Sequence, residues 1–128
     1  MSESVAWIAV DWGTSNLRGW TIDEAGNVLA SRSSPKGMGR LSKEEFPGVL
    51  AELLADIPLD EPTDVLVCGM AGARQGWLEA PYLDAPADLH DLAQKAVHPD
   101  TPGLPFSVSI LPGICQRQGR ENVMRGEE

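Results

Sequence analysis

Val5-Ala6-Trp7-Ile8-Ala9-Val10 is a continuous apolar run bounded by Asp11 and Gly13. Its length and lack of polar interruptions predict a strand buried on both faces, and that constrains the fold more than any other segment. Such a strand must sit inside a layered core. A chain of 128 residues with 42% hydrophobic side chains is large enough to supply one without a disulfide or metal staple. Beyond the run the chain is turn-rich. With 13 glycines and 10 prolines, a simple helical bundle is excluded as the expected architecture.

The segment Asp11-Trp12-Gly13-Thr14-Ser15-Asn16 is predicted as a turn into a second strand over Leu17–Ile22. Asp23-Glu24-Ala25-Gly26-Asn27 is a second turn, with Gly26-Asn27 suited to positive φ, and Val28–Ser33 comes next as a third strand. These three strands form an antiparallel meander. A loop over residues 34–39 then leads to Ser42, with Glu45 at capping-box spacing. Phe46, Val49, Leu50, Leu53 and Leu54 share a helical face, and Pro47 is tolerated in the first turn. Asp64–Gly69 reads as a fourth strand. Because a helix separates it from the third, it is expected to run parallel to a neighbour in the same sheet. A short helix over Asp88–Ala96 and a fifth strand over Phe106–Leu111 complete the prediction, with an irregular stretch from Pro81 to Pro86 and a polar tail from Arg117.

Charge and motif content narrow the function. The net charge of −9 argues against a nucleic-acid backbone or an anionic membrane surface as partner. The N-terminus lacks a basic segment before its apolar run and no stretch is long enough to span a bilayer, so the expected location is the cytoplasm. Cys68 and Cys115 show no metal-thiolate spacing and are expected as buried thiols. His90 and His98 lie in polar contexts and are expected at the solvated surface. No P-loop, dinucleotide fingerprint or nucleophile elbow is present.

The Asp11–Arg18 segment carries the most chemistry. A buried strand delivers Asp11 to its C-terminal end, Gly13 allows a close backbone approach, and Thr14 and Ser15 offer amides and hydroxyls to an anion. One carboxylate beside such donors suits Mg²⁺ next to a nucleotide phosphate, since Mg²⁺ uses few carboxylates and keeps its waters. A second loop, Gly69-Met70-Ala71-Gly72-Ala73-Arg74-Gln75-Gly76-Trp77, comes after the fourth strand and is expected to share a cleft with the first. Arg74 is a planar cation suited to a carboxylate or phosphate, or to pairing with Glu79, and Trp77 and Tyr82 are candidate pocket walls. In the tail, Glu127 or Glu128 is a candidate base for taking a proton from a sugar hydroxyl, or else part of a solvated charge run.

The hairpin, followed by a crossover helix, resembles the superfamily of actin, heat-shock chaperones and sugar kinases. Three collinear blocks sharpen this: residues 10–18, residues 69–77 with Glu79-Ala80-Pro81-Tyr82, and Pro112-Gly113 with residues 123–128. Together they resemble the 2-dehydro-3-deoxygalactonokinase family. The resemblance implies an α/β ribonuclease-H-like (actin-like ATPase) lobe, with a mixed sheet containing the meander and crossover helix. It implies ATP-dependent phosphorylation of 2-dehydro-3-deoxy-D-galactonate to its 6-phosphate, with ATP and Mg²⁺ as cofactors. It places Mg²⁺ on Asp11 and phosphate on Gly13, Thr14 and Ser15. Asn16, Arg18, Arg74 and Arg125 fall to the substrate, and Glu127 to the base. Ala71, Ala73 and Asn122 depart from the family pattern and bear on fine specificity. The chain is expected to be the N-terminal lobe, residues 1–128, of a two-lobed kinase, inactive alone and packing against a C-terminal lobe. A related kinase or phosphohydrolase with another substrate, or a non-catalytic lobe, are the alternatives.

Overall fold

The computed structural model describes residues 5–57, 59, 62–73, 76–84, 91, 94–101, 104–116 and 122–124. Its main sheet has five strands: β1 (Trp7–Trp12), β2 (Leu17–Ile22), β3 (Val28–Ser34), β4 (Thr63–Gly69) and β6 (Phe106–Ile110). Their spatial order is β3-β2-β1-β4-β6. β1–β2 and β2–β3 pair antiparallel, whereas β1–β4 and β4–β6 pair parallel. The meander and the parallel fourth strand are as the sequence predicts. The helix α1 (Phe46–Leu53) lies in the β3-to-β4 connection that makes the crossover.

Alternation along the strands decides which side is core. Ile8, Val10 and Trp12 of β1, Leu17 of β2, Val65 and Val67 of β4, and Phe106, Val108 and Ile110 of β6 are buried. Phe46, Val49, Leu50 and Leu53 of α1 pack on that same side. The fit over β2 is close: a Cβ added to Gly19 would stand 3.2 Å from a Leu53 methyl. The other face of β1 is only half-buried, so the expectation of a strand buried on both faces is corrected. The strand is also longer than the apolar run. Asp11 and Trp12 belong to it because each finds a partner on both sides, Arg18 and Leu17 on β2 and Cys68 and Gly69 on β4.

Two further expectations change. The predicted N-cap at Ser42 and its capping box with Glu45 are present, but the segment they open is a 3-10 turn, Lys43–Glu45, that leads into α1. Glu45 reaches back to accept the Ser42 amide at 2.8 Å, and this hydrogen bond holds its carboxyl below the usual range. A second, three-stranded sheet also forms, which local sequence pattern does not announce: β5 (Tyr82–Asp84), β7 (Gly113–Gln116) and β8 (Asn122–Met124), with β5–β7 parallel and β7–β8 antiparallel. Most of the predicted helix at Asp88–Ala96 lies outside the described residues, although Lys95 donates its amide to the Asp91 carbonyl at 3.2 Å.

Candidate functional site

The β1–β2 connection is the four-residue turn Gly13–Asn16, closed by the Gly13 amide donating to the Asn16 carbonyl at 2.9 Å. It is braced from outside by the 3-10 turn Met38–Arg40 and by Gly37 before it. The Met38 amide donates to the Gly13 carbonyl at 2.9 Å, and the Gly39 amide to the Thr14 carbonyl at 3.0 Å. The approach is so close that a Cβ on Gly37 would overlap the Thr14 and Ser15 backbone. One on Gly39 would stand 3.1 Å from Thr14. The Gly13, Thr14 and Asn16 carbonyls are therefore engaged, while the outward side of the turn is open. Thr14, Ser15 and Asn16 are exposed, and among the described residues the Thr14 and Ser15 amides donate to no protein acceptor.

Asp11 stands at the base of this turn, half-buried, with Arg18 beside it across β2 and exposed. Among the described residues, no hydrogen bond or ion pair engages the Asp11 carboxylate. On its other side β4 ends at Gly69, whose φ of +95° and ψ of −147° belong to a region that only glycine occupies comfortably. A Cβ there would lie 2.7 Å from the Trp12 carbonyl oxygen and 3.0 Å from Asp11 Oδ1. Gly69 thus keeps open the space beside the carboxylate. The two predicted loops do meet, through this contact.

Beyond Gly69 the chain turns inward. Met70–Gly72 form a 3-10 turn, and Ala71, Ala73 and Ala80 are buried. Trp77 and Leu78 both donate their amides to the Ala71 carbonyl, and a Cβ on Gly76 would overlap that same carbonyl. This knot drives Trp77 into the core, where it stacks on Phe46 at 5.8 Å and meets Trp12 edge-on at 5.9 Å. Trp77 is only 7% exposed, so its predicted place as a wall of the ligand cleft is corrected. Ala71 and Ala73 are buried in this knot. Cys68 is half-buried rather than buried. His98 is exposed, as expected, and hydrogen-bonds Ser109 at 3.0 Å.

The structure therefore brings together Asp11, Gly13, Thr14, Ser15, Asn16 and Arg18 with Gly69. The predicted residues Arg74, Arg125, Glu127 and Glu128 lie outside the described residues, and of Tyr82 only the backbone is described. Sequence reasoning assigns no part to Gly37 and Gly39. Their close spacing after the meander is the signal that something packs against that backbone. A surface recess of about 370 Å³ lined by Lys43, Glu44, Trp77, Leu78 and residues 98–100 contains, apart from the core indole of Trp77, none of the predicted site residues. Among the described residues, no three metal-ligating side chains cluster, and no helix is long and apolar enough to cross a membrane.

Sheet order, crossover helix and braced turn define an α/β protein built on a five-stranded mixed sheet. A family model described as 2-keto-3-deoxy-galactonokinase matches residues 11–128, and the chain belongs to that family. It is 44% identical, over its whole length, to a Rhizobium meliloti (strain 1021) protein named as a probable 2-dehydro-3-deoxygalactonokinase. It is 37% identical, over 95% of its length, to the 2-dehydro-3-deoxygalactonokinase of Escherichia coli (strain K12). A crystal structure from Sinorhizobium meliloti, assigned as a 2-dehydro-3-deoxygalactonokinase protein, superposes over 94% of the chain with a TM-score of 0.80 at 44% identity. The chain spans 42% and 40% of the two curated relatives and 39% of the crystallised chain.

Proposed function

We propose that this chain is the ribonuclease-H-like first lobe of a kinase that uses ATP to phosphorylate 2-dehydro-3-deoxy-D-galactonate on its terminal hydroxyl. Family membership and the names of the relatives support the substrate. The β3-β2-β1-β4-β6 order, with three antiparallel and then two parallel strands, supports the fold assignment. The relatives' greater length supports a second lobe that completes the enzyme.

One observation carries the site reading. Among the described residues, an exposed turn presents the Thr14 and Ser15 amides with no protein acceptor, beside a carboxylate with no protein partner. Donors that must stay hydrated in the absence of a ligand are matched to a terminal phosphate, which accepts from backbone N–H groups at a tight turn. The fit of Mg²⁺ to Asp11 rests on its hard oxygen donors and on the space that the missing Gly69 side chain leaves beside Oδ1. Asp11 would hold Mg²⁺ there, and the cation would supply charge neutralisation for the transferring phosphate.

Each residue of the chain then has a task. Asp11 would hold the cation, which offsets the repulsion between the Asp11 carboxylate and the phosphate. The amides of Thr14 and Ser15 fix its oxygens, and the braced carbonyls of Gly13 and Thr14 keep the turn from relaxing. Arg18, across β2 from Asp11, meets the junction of phosphate and substrate, with Asn16 beside it. By family resemblance, Arg74 is assigned to the sugar-acid carboxylate, Arg125 to the substrate, and Glu127 to accepting the hydroxyl proton as phosphate arrives.

The test is coupled ATP consumption by the full-length protein. Turnover requires the 2-keto-3-deoxy sugar acid and Mg²⁺, and Asp11→Ala removes it while the circular dichroism spectrum is unchanged. Wild-type turnover in Asp11→Ala removes the metal role. Equal turnover with aldoses or polyphosphate removes the substrate assignment.

A further inference from the structure

The two amides assigned to phosphate owe their direction to the segment behind them. A trans peptide sets its carbonyl and its N–H antiparallel in one plane, so holding a carbonyl fixes where the next residue's amide points. The Gly13 carbonyl accepts from the Met38 amide at 2.9 Å, and the Thr14 carbonyl from the Gly39 amide at 3.0 Å. The Thr14 and Ser15 N–H groups share those two peptide planes, so both point away from Met38 and Gly39. They are the same two amides that have no protein acceptor among the described residues. The first amides of a helical turn lack acceptors inside it, and Met38 and Gly39 open the 3-10 turn Met38–Arg40. Their amides point the same way along that turn. The two carbonyls they hold therefore face one side, and the two phosphate donors face the other.

Contact between the two segments leaves no slack. Gly37 has φ −70° and ψ 168°, extended backbone that any residue adopts, so glycine stands there for space. A Cβ on it would overlap the Thr14–Ser15 peptide. A Cβ on Gly39 would stand 3.1 Å from both the Thr14 carbonyl oxygen and Thr14 Cγ2, closer than ordinary van der Waals contact. The Thr14 methyl thus lies against the bare Gly39 backbone, and the hydroxyl, on another branch of the same Cβ, is turned from it. The segment is itself tied down. Met38 is buried in the core cluster, and the Lys36 carbonyl accepts the Trp12 indole N–H at 3.2 Å. Trp12 follows Asp11 in β1, so carboxylate and amides are set from one strand.

We infer that Gly37-Met38-Gly39 is a positioning element for the terminal phosphate of the nucleotide, acting by aiming the Thr14 and Ser15 amides rather than by touching the ligand. Gly39 is its most sensitive member, because it presses on Thr14 from an exposed position where a substitution leaves the core intact. This role rests on the phosphate reading of the turn given above. It adds where the accuracy of that turn comes from.

Gly39→Ala in the full-length protein tests it, with Gly48→Ala as control, since a Cβ on Gly48 meets nothing within 4 Å. Calorimetry with a non-hydrolysable ATP analogue and Mg²⁺ is expected to show about tenfold weaker binding in Gly39→Ala, the scale of one misaligned hydrogen bond to a charged group. Binding of the sugar acid is expected to stay within about twofold, and in turnover KM for ATP carries the loss while KM for the sugar acid does not. Gly48→Ala changes neither. Thr14→Ser removes the methyl, one of the two atoms that the new Cβ presses on. In that background the Gly39→Ala penalty is expected to fall to about threefold. Unchanged analogue binding in Gly39→Ala overturns the inference, whether or not the urea midpoint moves. Equal losses for analogue and sugar acid, or a penalty undiminished by Thr14→Ser, overturn it too. Asp11→Ala separates the aiming from the site itself. If Asp11→Ala weakens Mg²⁺-dependent analogue binding and Gly39→Ala does not, the aiming falls and the phosphate site stands. Wild-type binding and turnover in Asp11→Ala remove the phosphate site and the aiming with it.

Discussion

Gly69→Ala is the most direct perturbation of the arrangement around Asp11, and Gly26→Ala is its natural control. Both glycines have positive φ, +95° and +88°, so both substitutions strain the backbone. They differ in surroundings. Nothing lies within 4 Å of a Cβ on Gly26, whereas one on Gly69 stands 2.7 Å from the Trp12 carbonyl oxygen and 3.0 Å from Asp11 Oδ1. Gly26→Ala is then expected to cost only the conformational term, about 1–2 kcal/mol. Gly69→Ala adds an overlap with backbone that β1 and β4 hold rigidly between them. With about 1–3 kcal/mol for the Gly-only conformation and about 1–3 for overpacking, it should cost roughly 2–6 kcal/mol. That is a large part of the stability of a typical domain, about 5–15 kcal/mol. Urea titration followed by tryptophan fluorescence reads the difference, because Trp12 is fully buried beside the substitution. The expected result is a Gly69→Ala midpoint at least about 0.5 M below that of Gly26→Ala, with m unchanged. Coincident midpoints would refute the reasoning, since they would mean that β4 does not crowd the Asp11 carboxylate.

Three further outcomes are expected. Trp77→Ala should cost about 3–5 kcal/mol in urea titration, and a cycle with Phe46→Ala should return a coupling of about 0.5–1.5 kcal/mol from their stacked rings; a cost near zero would restore Trp77 to an open cleft. Gly48→Ala, at an exposed position of α1 with nothing within 4 Å, should raise stability by about 0.5–1 kcal/mol, whereas Gly37→Ala should lower it because its Cβ overlaps the Thr14–Ser15 backbone. Asp23 accepts the Asn27 and Ala25 amides at 2.8 and 2.9 Å, which lowers its carboxyl below the usual value. Its contribution, like that of Glu45, is therefore present above the unfolded pKa of about 4 and lost as pH falls through the lower folded value. Melting temperatures of wild type and Asp23→Ala should converge below about pH 3 and separate above about pH 5; a gap that widens on acidification would contradict the sign.

Legibility in the sequence tracks the strength of local signals. The meander is readable because Asp23-Glu24-Ala25-Gly26-Asn27 breaks two runs of strand formers, and Gly26 does take the positive φ that the turn requires. The crossover is readable from the Phe46, Val49, Leu50 and Leu53 face. The second sheet is not, because three- and four-residue strands such as Tyr82–Asp84 carry no usable period and are fixed by distant partners. Trp77 misleads because a tryptophan in a glycine-rich loop looks exposed. Only the backbone knot of residues 71–78, which depends on Gly76, shows that the loop folds under itself. Within the candidate site, the sequence singles out Asp11 to Arg18, which the structure groups at the end of β1, the start of β2 and the turn between them. It says little of the segment that braces the turn, where the Met38 and Gly39 amides hold its carbonyls and Gly37 packs on its backbone; the close spacing of the two glycines is the one signal there.

The placement of Asp11 is not independent of the core. Neighbours in a strand point to opposite faces, so burying Trp12 against Phe46 at 4.8 Å obliges Asp11 to face the other way. A slip of one residue would put the carboxylate under α1 and the indole in solvent, and the cost of both errors fixes the register. Trp12 Nε1 adds a second tie by donating to the Lys36 carbonyl at 3.2 Å, in the same connection that braces the Gly13–Asn16 turn. One buried indole thus sets which face Asp11 occupies and anchors the loop that shapes the turn beyond it. It follows that Asp11 and Arg18 share their face of the sheet with Trp7, Ala9, Trp20 and Leu66, and not with Trp12 and α1.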